Sequence, residues 1–140
     1  MVTKLLIVDD HPLTRAGIRT ILEAKNTIEI IGEAKDGLDA IEQVREHLPD
    51  MVIMDIAMPQ LSGIDATREI LMENPKTKVI ALSIHSGQKY VKEMLKAGAV
   101  GYLLKDQVPE ELIMAIEKVN EGDIYLSSQV TRNALKVDEK

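Results

Sequence analysis

The stretch VIMDIAMPQLSG, residues 52–63, passes from an apolar run to an acidic residue and then to a turn. The apolar part is typical of a strand buried on both faces of a sheet, and Asp55 follows where that strand ends. Pro59 and Gly63 are typical of a turn that leads into a helix. The stretch therefore predicts a buried strand, a loop and a helix start, with a carboxylate at the end of the strand.

The same alternation of strand and helix recurs five times along the chain. Five short apolar runs are predicted as strands: Lys4 to Val8, Ile28 to Gly32, Met51 to Met54, Val79 to Ser83 and Gly101 to Leu104. Five segments with helical spacing are predicted as helices: Pro12 to Ala24, Asp36 to Leu48, Ser62 to Glu73, Gln88 to Lys96 and Pro109 to Glu121. Apolar strands that alternate with helices predict a doubly wound α/β fold, with a parallel sheet covered on both faces.

Helical spacing also predicts which side chains of the first two helices are buried. They are Leu13, Ala16, Ile18, Ile21 and Leu22 in the first helix, and Leu38, Ala40, Ile41 and Val44 in the second.

Length and composition limit the classes of protein that fit. The chain has 140 residues, of which 45% are hydrophobic and 29% are charged, as in one compact globular domain. No apolar run is long enough to span a bilayer, and the amino terminus leaves no room for a signal peptide, so we expect no membrane partner and a cytoplasmic protein. The absence of cysteine excludes disulfides and thiolate zinc sites. A net charge of -6 argues against nucleic-acid binding by these residues.

Polar side chains end or follow four of the predicted strands: Asp9 and Asp10 follow the first, Asp55 follows the third, Ser83 ends the fourth and Lys105 follows the fifth. In parallel sheets these ends meet at one edge, where ligands bind. Carboxylates about 5 Å apart repel each other by about 3 kcal/mol per pair, so the cluster needs a cation and Lys105 to offset its charge. Oxygen ligands alone favour Mg²⁺ over Zn²⁺. A carboxylate beside such a metal is a nucleophile that can form an acyl phosphate, so Asp55 is the candidate acceptor.

Each of these residues also has a simpler interpretation. A single Asp after a strand usually caps a turn or a helix, and Asp10 is placed to cap the first helix. Lys105 alone is typical of a solvated loop, and Ser83 alone of a strand-end hydroxyl. His11 is interpreted as a helix-entry residue and His85 as a loop residue. The convergence of three acids, a hydroxyl and a lysine on one edge favours a functional site.

Four motifs resemble the receiver domain of two-component response regulators: LLIVDDHP, VIMDIAMPQLSG, ALSIH and GAVGYLLKD. The phrases DDHP, GYLLKD and GxxYLS (from Gly122) resemble the NarL/FixJ, or LuxR-type, subfamily of transcriptional regulators. The resemblance covers about residues 3–128. It implies a flavodoxin-like (βα)5 fold with a five-stranded sheet in the order 2-1-3-4-5. It also implies a receiver domain in residues 1–122. Residues 123–140 are predicted as a linker, with Ser127 or Ser128 capping a short helix through about Val137, toward an output domain that is missing.

The resemblance implies roles for the residues at the sheet edge. Asp55 is the implied phosphoacceptor, and Asp9, Asp10, Asp55 and the backbone carbonyl of Ala57 are the implied Mg²⁺ ligands. The Ser83 hydroxyl is implied to bond a phosphoryl oxygen, and Lys105 is implied to form an ion pair with the phosphoryl group. Tyr102 is the implied aromatic switch residue.

The implied partner is a sensor histidine kinase that donates the phosphoryl group. The implied output is homodimerisation on phosphorylation and control of a helix-turn-helix DNA-binding domain outside this chain. Such a protein is not an enzyme beyond its own phosphorylation and slow autodephosphorylation. Three alternatives remain: a stand-alone receiver that acts through protein contacts, an aspartate-nucleophile phosphohydrolase, and a flavodoxin-like cofactor binder. Ala57 disfavours the hydrolase, which typically has a second Asp there, and the acidic edge disfavours the cofactor binder.

Two positions depart from the family pattern. Many receivers have a proline in cis after the lysine, whereas Asp106 follows Lys105 here, so a cis bond is not expected. The residue after the hydroxyl is often small, but here it is Ile84, which we predict slows phosphoryl turnover by limiting the access of water.

Overall fold

The computed structural model describes residues 2–132. Its elements alternate as predicted, with bounds within about two residues of those expected from the sequence. They are β1 (Thr3–Val8), α1 (Pro12–Glu23), β2 (Ile28–Ala34), α2 (Gly37–His47), β3 (Met51–Asp55), α3 (Gly63–Glu73), β4 (Lys78–Ser83), α4 (Gln88–Ala97), β5 (Gly101–Leu104), a 3-10 turn (Lys105–Gln107), α5 (Val108–Asn120) and β6 (Tyr125–Leu126).

The strands form one parallel sheet in the order β2-β1-β3-β4-β5-β6. The predicted flavodoxin-like order is confirmed for the first five strands, but the predicted count of five is wrong by one. The sixth strand has two residues, too few for a recognisable pattern, and main-chain bonds hold it on β5: Tyr125 N–H donates to Val100 O at 3.0 Å and Ser127 N–H to Tyr102 O at 2.9 Å.

This strand lies within the segment 123–140 that was predicted as a linker. Residues 128–132 are helical, in agreement with a short helix that starts near Ser128. The remainder of that predicted helix, through Val137, lies outside the described residues. The division into residues 1–122 and 123–140 stays a prediction.

The core has two halves because successive strand residues point to opposite faces of the sheet. In β1, Leu6 and Val8 pack on one side with residues of α2, α3 and α4, whereas Leu5 and Ile7 pack on the other with residues of α1 and α5. Both sets are fully buried. The central strands are apolar between their ends, as from Met51 to Met54 of β3, because both of their faces are covered.

Side-chain caps explain where two of the helices begin. Asp36 Oδ1 accepts a hydrogen bond from Asp39 N–H at 2.8 Å, and Ser62 Oγ accepts one from Asp65 N–H at 3.2 Å. Each cap satisfies an amide of the first turn that has no partner within its helix. The helices predicted to start at Asp36 and Ser62 therefore start one residue later, and those two residues are their caps.

The burial predicted for the helices is only partly correct. Ile18, Leu22, Ala40, Ile41 and Val44 are buried, and Ile21 is half-buried. Ala16 is exposed, and Leu13 and Leu38 are 88% and 52% exposed. Those two leucines lie in the first turn of their helices, at the carboxyl edge of the sheet, where there is little sheet beneath them to pack against. Within residues 2–132, every helix is too short or too polar to cross a membrane.

Candidate functional site

Four strands bring the predicted polar residues to one edge of the sheet. The last or next-to-last residues of neighbouring strands are in register: Val8 with Met54, Asp55 with Leu82, and Ser83 with Leu104. Asp9, Asp55, Ser83 and Lys105 lie at or just after these pairs, so the parallel register places them side by side. The chain folds this way locally because the apolar run of each strand stops where its sheet neighbours stop.

Lys105 lies between two buried carboxylates. Its Nζ is 3.0 Å from Asp9 Oδ2 and 3.4 Å from Asp55 Oδ2. Asp9 is 0% exposed and Asp55 is 2% exposed. Both contacts are ion pairs. Neither Oδ2 atom accepts a hydrogen bond from any group in the described part of the chain. One lysine therefore faces two buried carboxylates, so its single positive charge offsets only part of the negative charge of Asp9 and Asp55.

Burial and charge shift the proton affinities at this edge. Burial, together with the negative charge of Asp9 and against the opposing effect of Lys105, raises the pKa of Asp55 to about 7. Burial alone would lower the pKa of Lys105, but its contacts with Asp9 and Asp55 outweigh that effect and raise it. A cation bound beside these carboxylates would favour the ionised form of Asp55.

The residues fit a hard divalent cation. Asp9, Asp10, His11 and Asp55 each offer one ligand atom, and these four atoms all lie within 4.8 Å of one another. The Oδ2 atoms of Asp9 and Asp55 are buried without hydrogen bonds among residues 2–132, and carboxylate oxygens in that condition are suited to a cation such as Mg²⁺. Ala57 is also at the site, since its N–H donates to Asp55 Oδ1 at 3.3 Å. The role of its carbonyl stays a prediction.

Ser83 and Tyr102 are joined through the main chain of His85. The His85 N–H donates to Ser83 Oγ at 2.9 Å, and the Tyr102 hydroxyl donates to the His85 carbonyl at 2.7 Å. Tyr102 is completely buried, and this burial raises the pKa of its hydroxyl. The His85 ring stacks on Tyr90 of α4, with ring centres 4.4 Å apart. His85 is a loop residue, as interpreted, but its link to Ser83 and Tyr102 uses main-chain atoms and has no sequence signal.

Gly63 at the start of α3 approaches the phosphoacceptor candidate very closely. A Cβ on this residue would lie 2.0 Å from the main-chain carbonyl oxygen of Asp55. The Gly63 N–H also donates to the Ile56 carbonyl at 2.9 Å. The glycine of the motif VIMDIAMPQLSG is therefore required by the close approach of α3 to the end of β3.

Two further residues that touch the acidic edge were missed by the sequence prediction of the site. His11 Nδ1 lies 3.2 Å from Asp9 Oδ1 and 3.0 Å from Asp10 Oδ1. Arg15 Nη1 donates to the Asp9 carbonyl, and Arg15 Nε donates to Glu33 Oε1 at 2.9 Å. The adjacency of His11 to the two acids was a usable signal for the first contact. The contacts of Arg15 depend on how α1 packs beside the turn after β1 and beside Glu33 of β2, which the sequence does not indicate.

All peptide bonds within residues 2–132 are trans, which includes the bond between Lys105 and Asp106, as expected.

Comparisons with known proteins agree on one family. The profile of the response regulator receiver domain matches residues 5–117. The transcriptional regulatory protein DegU of Brevibacillus brevis is 41% identical over 133 residues, which cover 95% of this chain and 56% of DegU. The response regulator UvrY of Escherichia coli strain K12 is 41% identical over 128 residues, which cover 91% of this chain and 59% of UvrY. This chain thus spans just over half the length of these relatives.

A solved structure shows the same similarity over the whole chain. The two-component response regulator of the LuxR family from Aurantimonas sp. SI85-9A1 superposes with a TM-score of 0.95 at 31% identity, covering 100% of both chains.

Proposed function

The chain belongs to the response regulator receiver domain family, in its NarL/LuxR branch, and we propose that it accepts a phosphoryl group on Asp55. Receiver domains are phosphorylated by histidine kinases, bind Mg²⁺ at an acidic pocket and act as regulators rather than metabolic enzymes. The observation that carries the assignment is the buried Asp55 carboxylate, which ends β3 and has Lys105 Nζ 3.4 Å from its Oδ2.

In the proposed reaction a carboxylate oxygen of Asp55 attacks the phosphorus of a phosphohistidine on a sensor histidine kinase. The oxygen–phosphorus bond forms as the phosphorus–nitrogen bond breaks. The leaving histidine nitrogen keeps the electron pair of the broken bond, and the kinase imidazole leaves in its neutral form because its other ring nitrogen carries a proton during the transfer. Asp55 must be ionised to attack, and the ammonium group of Lys105 favours that form.

The residues around Asp55 fit the stabilisation of a phosphoryl group. We assign Asp9, Asp10, Asp55 and the main-chain carbonyl of Ala57 as ligands of Mg²⁺, which when bound would offset negative charge on the transferring group. Lys105 and the Ser83 hydroxyl would bind phosphoryl oxygens. The cost of two buried carboxylates that share one lysine supports a site that works with a cation.

We propose Tyr102 as the switch residue. A phosphoryl group that draws Ser83 Oγ toward itself would compete with the hydrogen bond from His85 N–H. Because the His85 carbonyl accepts from the Tyr102 hydroxyl, the loop between β4 and α4 and the tyrosine would move together. Tyr102 is already buried here, and we propose that this shift of the loop keeps its hydroxyl bonded to the His85 carbonyl and so stabilises the buried position.

The effect of the switch on partners and on DNA binding is proposed here from what is known of LuxR-type regulators. LuxR-type regulators bind DNA and dimerise, and DegU is a transcriptional regulatory protein. We propose a sensor histidine kinase as the phosphoryl donor, homodimerisation on phosphorylation, and control of a DNA-binding domain outside this chain. We place the receiver in residues 1–122, the linker in residues 123–140 and the protein in the cytoplasm. We expect no catalysis beyond its own phosphorylation and slow autodephosphorylation.

Phosphorylation by a small donor tests the proposal. The chain is incubated with acetyl phosphate and Mg²⁺, and the intact mass is measured for wild type, Asp55→Asn and Asp123→Asn. Asp123 is an exposed residue and serves as a matched control for the same chemical change. We expect one acid-stable, base-labile phosphoryl group on the wild type and on Asp123→Asn, and none on Asp55→Asn. Equal labelling of all three proteins, or rapid turnover of phosphoesters, would refute the assignment.

A further inference from the structure

We propose that His11 is a fourth protein ligand at the acidic edge and that it allows the site to bind a borderline divalent cation, with Zn²⁺ as the probe, in addition to Mg²⁺. The inference rests on the proposed function, because Asp9, Asp10 and Asp55 are the other ligands. It extends that function by adding a nitrogen ligand to a set that otherwise contains only oxygen.

The spacing of the atoms carries the inference. His11 Nδ1 lies 3.0 Å from Asp10 Oδ1 and 3.2 Å from Asp9 Oδ1. Neighbouring ligands of a six-coordinate ion with bonds of about 2.1 Å lie about 3.0 Å apart, and opposite ligands lie about 4.2 Å apart. The four candidate atoms, with Asp55 included, lie within 4.8 Å of one another. This spread is close to that of the ligands around one such ion.

Main-chain hydrogen bonds fix the backbone of His11 beside the two acids. His11 caps the amino end of α1, and Pro12 follows it at the first helical position. The His11 N–H donates to Asp9 Oδ1 at 2.8 Å, and its carbonyl accepts from Arg15 N–H at 3.2 Å. The side chain is 66% exposed, so water has access to complete the coordination shell. The turn that places Asp9 and Asp10 at the site therefore also places the imidazole there.

Two buried oxygens point to a cation independently of the histidine. The Oδ2 atoms of Asp9 and Asp55 are buried and accept no hydrogen bond from residues 2–132. Both side chains are at least nine-tenths buried, and their Oδ2 atoms face Lys105 Nζ at 3.0 and 3.4 Å. Asp10 Oδ1, the oxygen 3.0 Å from His11 Nδ1, is also buried and accepts no hydrogen bond from residues 2–132. Three buried oxygens without hydrogen bonds, with one lysine beside two of them, leave negative charge for a bound cation to offset.

Ligand chemistry decides which cation binds more tightly when His11 is one of the ligands. Carboxylate, carbonyl and water ligands suit Mg²⁺, whereas an imidazole nitrogen suits Zn²⁺, Ni²⁺ and other borderline ions. Mg²⁺ retains several waters and gains little from a nitrogen ligand. Removal of the imidazole should therefore weaken Zn²⁺ binding much more than Mg²⁺ binding.

The test compares the two ions on His11→Gln and on His47→Gln. His47 is an exposed histidine at the end of α2, so its variant measures adventitious binding to a surface imidazole. Affinities for Zn²⁺ and for Mg²⁺ are measured by calorimetry at one fixed pH. We expect His11→Gln to lower Zn²⁺ affinity by at least about tenfold more than Mg²⁺ affinity, and His47→Gln to leave Zn²⁺ affinity unchanged. Equal losses for both ions, or no loss for Zn²⁺, would refute the inference.

A measurement on the wild type requires no variant to fold. Nitrogen NMR of the three histidine rings is recorded during Zn²⁺ addition, and we expect the Nδ1 signal of His11 to shift. A contact that is only a hydrogen bond between His11 and the acids predicts no direct shift of that nitrogen, and this result would overturn the inference. Acetyl phosphate labelling of Asp55 is scored separately. Loss of labelling with intact Zn²⁺ binding would refute only the proposed function. Intact labelling without Zn²⁺ binding at His11 would refute only the role of His11.

Discussion

Gly63 and Asp55 touch through their main chains: a Cβ on Gly63 would stand 2.0 Å from the Asp55 carbonyl oxygen. The end of β3 and the start of α3 are thus in direct contact, and the loop between them holds Ala57, whose N–H donates to the Asp55 carboxylate. The position of the proposed phosphoacceptor therefore depends on a glycine eight residues later.

Gly63→Ala should destabilise the fold and displace Asp55. No side chain can yield to relieve this clash, because the atom in the way belongs to the main chain. We expect a loss of about 1–3 kcal/mol in the free energy of unfolding, measured in urea, together with slower labelling by acetyl phosphate. Gly17→Ala in α1 is the control, because a Cβ there meets no atom within 4 Å and should stabilise the helix by about 0.5–1 kcal/mol. Equal stability of Gly63→Ala and wild type would contradict the close approach.

The stability of the metal-free protein should depend on pH through Asp55. Its pKa is about 7 in the folded protein, against an ordinary value of 3.8. The folded form therefore keeps a proton that the unfolded form loses, so stability falls as pH rises from about 4 to about 7 and levels off above. Asp55→Asn removes this loss, which amounts to as much as about 4 kcal/mol.

Urea unfolding in the presence of a chelator measures this effect. We expect Asp55→Asn to stabilise the protein more at about pH 8 than at about pH 4.5. Asp123→Asn, an exposed site, should show no such difference. A benefit from Asp55→Asn that is the same at both pH values would show that the carboxyl is not held at a raised pKa.

Arg15 should matter more for stability than Arg19, although both bind the same carboxylate. Arg15 Nε and Arg19 Nε donate to the two oxygens of Glu33, at 2.9 and 2.7 Å, and only Arg15 also donates to the Asp9 carbonyl. We expect Arg15→Ala to cost about 1–3 kcal/mol, since a charged donor to the turn is lost. Arg19→Ala should cost less than about 1 kcal/mol because that pair is more exposed. Thermal unfolding of both variants decides this, and equal losses would rule out a special role for Arg15.

Ile84→Ala should shorten the lifetime of the phosphorylated form. Ile84 directly follows Ser83 and is 74% exposed, so its side chain lies outside the core, next in the chain to a residue of the proposed site. We expect the smaller side chain to admit water and to speed dephosphorylation, followed by the loss of phosphoryl group after the donor is removed. Met72→Ala on α3, also highly exposed, should leave the rate unchanged. An unchanged or slower rate in Ile84→Ala would reject this role.

The strands and helices were predictable because their signals are local. Apolar runs mark the buried strands, and Asp36 and Ser62 mark helix starts. β6 was missed because two residues carry no period, and its pairing with β5 depends on main-chain bonds. Leu13 was predicted as buried because spacing along a helix does not reveal where the sheet beneath it ends.

The site could be predicted only in part, for a similar reason. Asp9, Asp55, Ser83 and Lys105 were identifiable because each ends or directly follows a strand, and parallel strands end together. The contacts of His11 and Arg15 depend on the shape of one turn and on the distance between α1 and β2, which no local pattern gives.

The central claim is that Asp55 carries the phosphoryl group. After labelling with acetyl phosphate and Mg²⁺, borohydride reduces an aspartyl phosphate to homoserine, and peptide mass spectrometry locates the reduced residue. We predict homoserine at position 55 and at no other aspartate. Homoserine at Asp9, Asp10 or another position, or labelling without any reduced aspartate, would contradict the account.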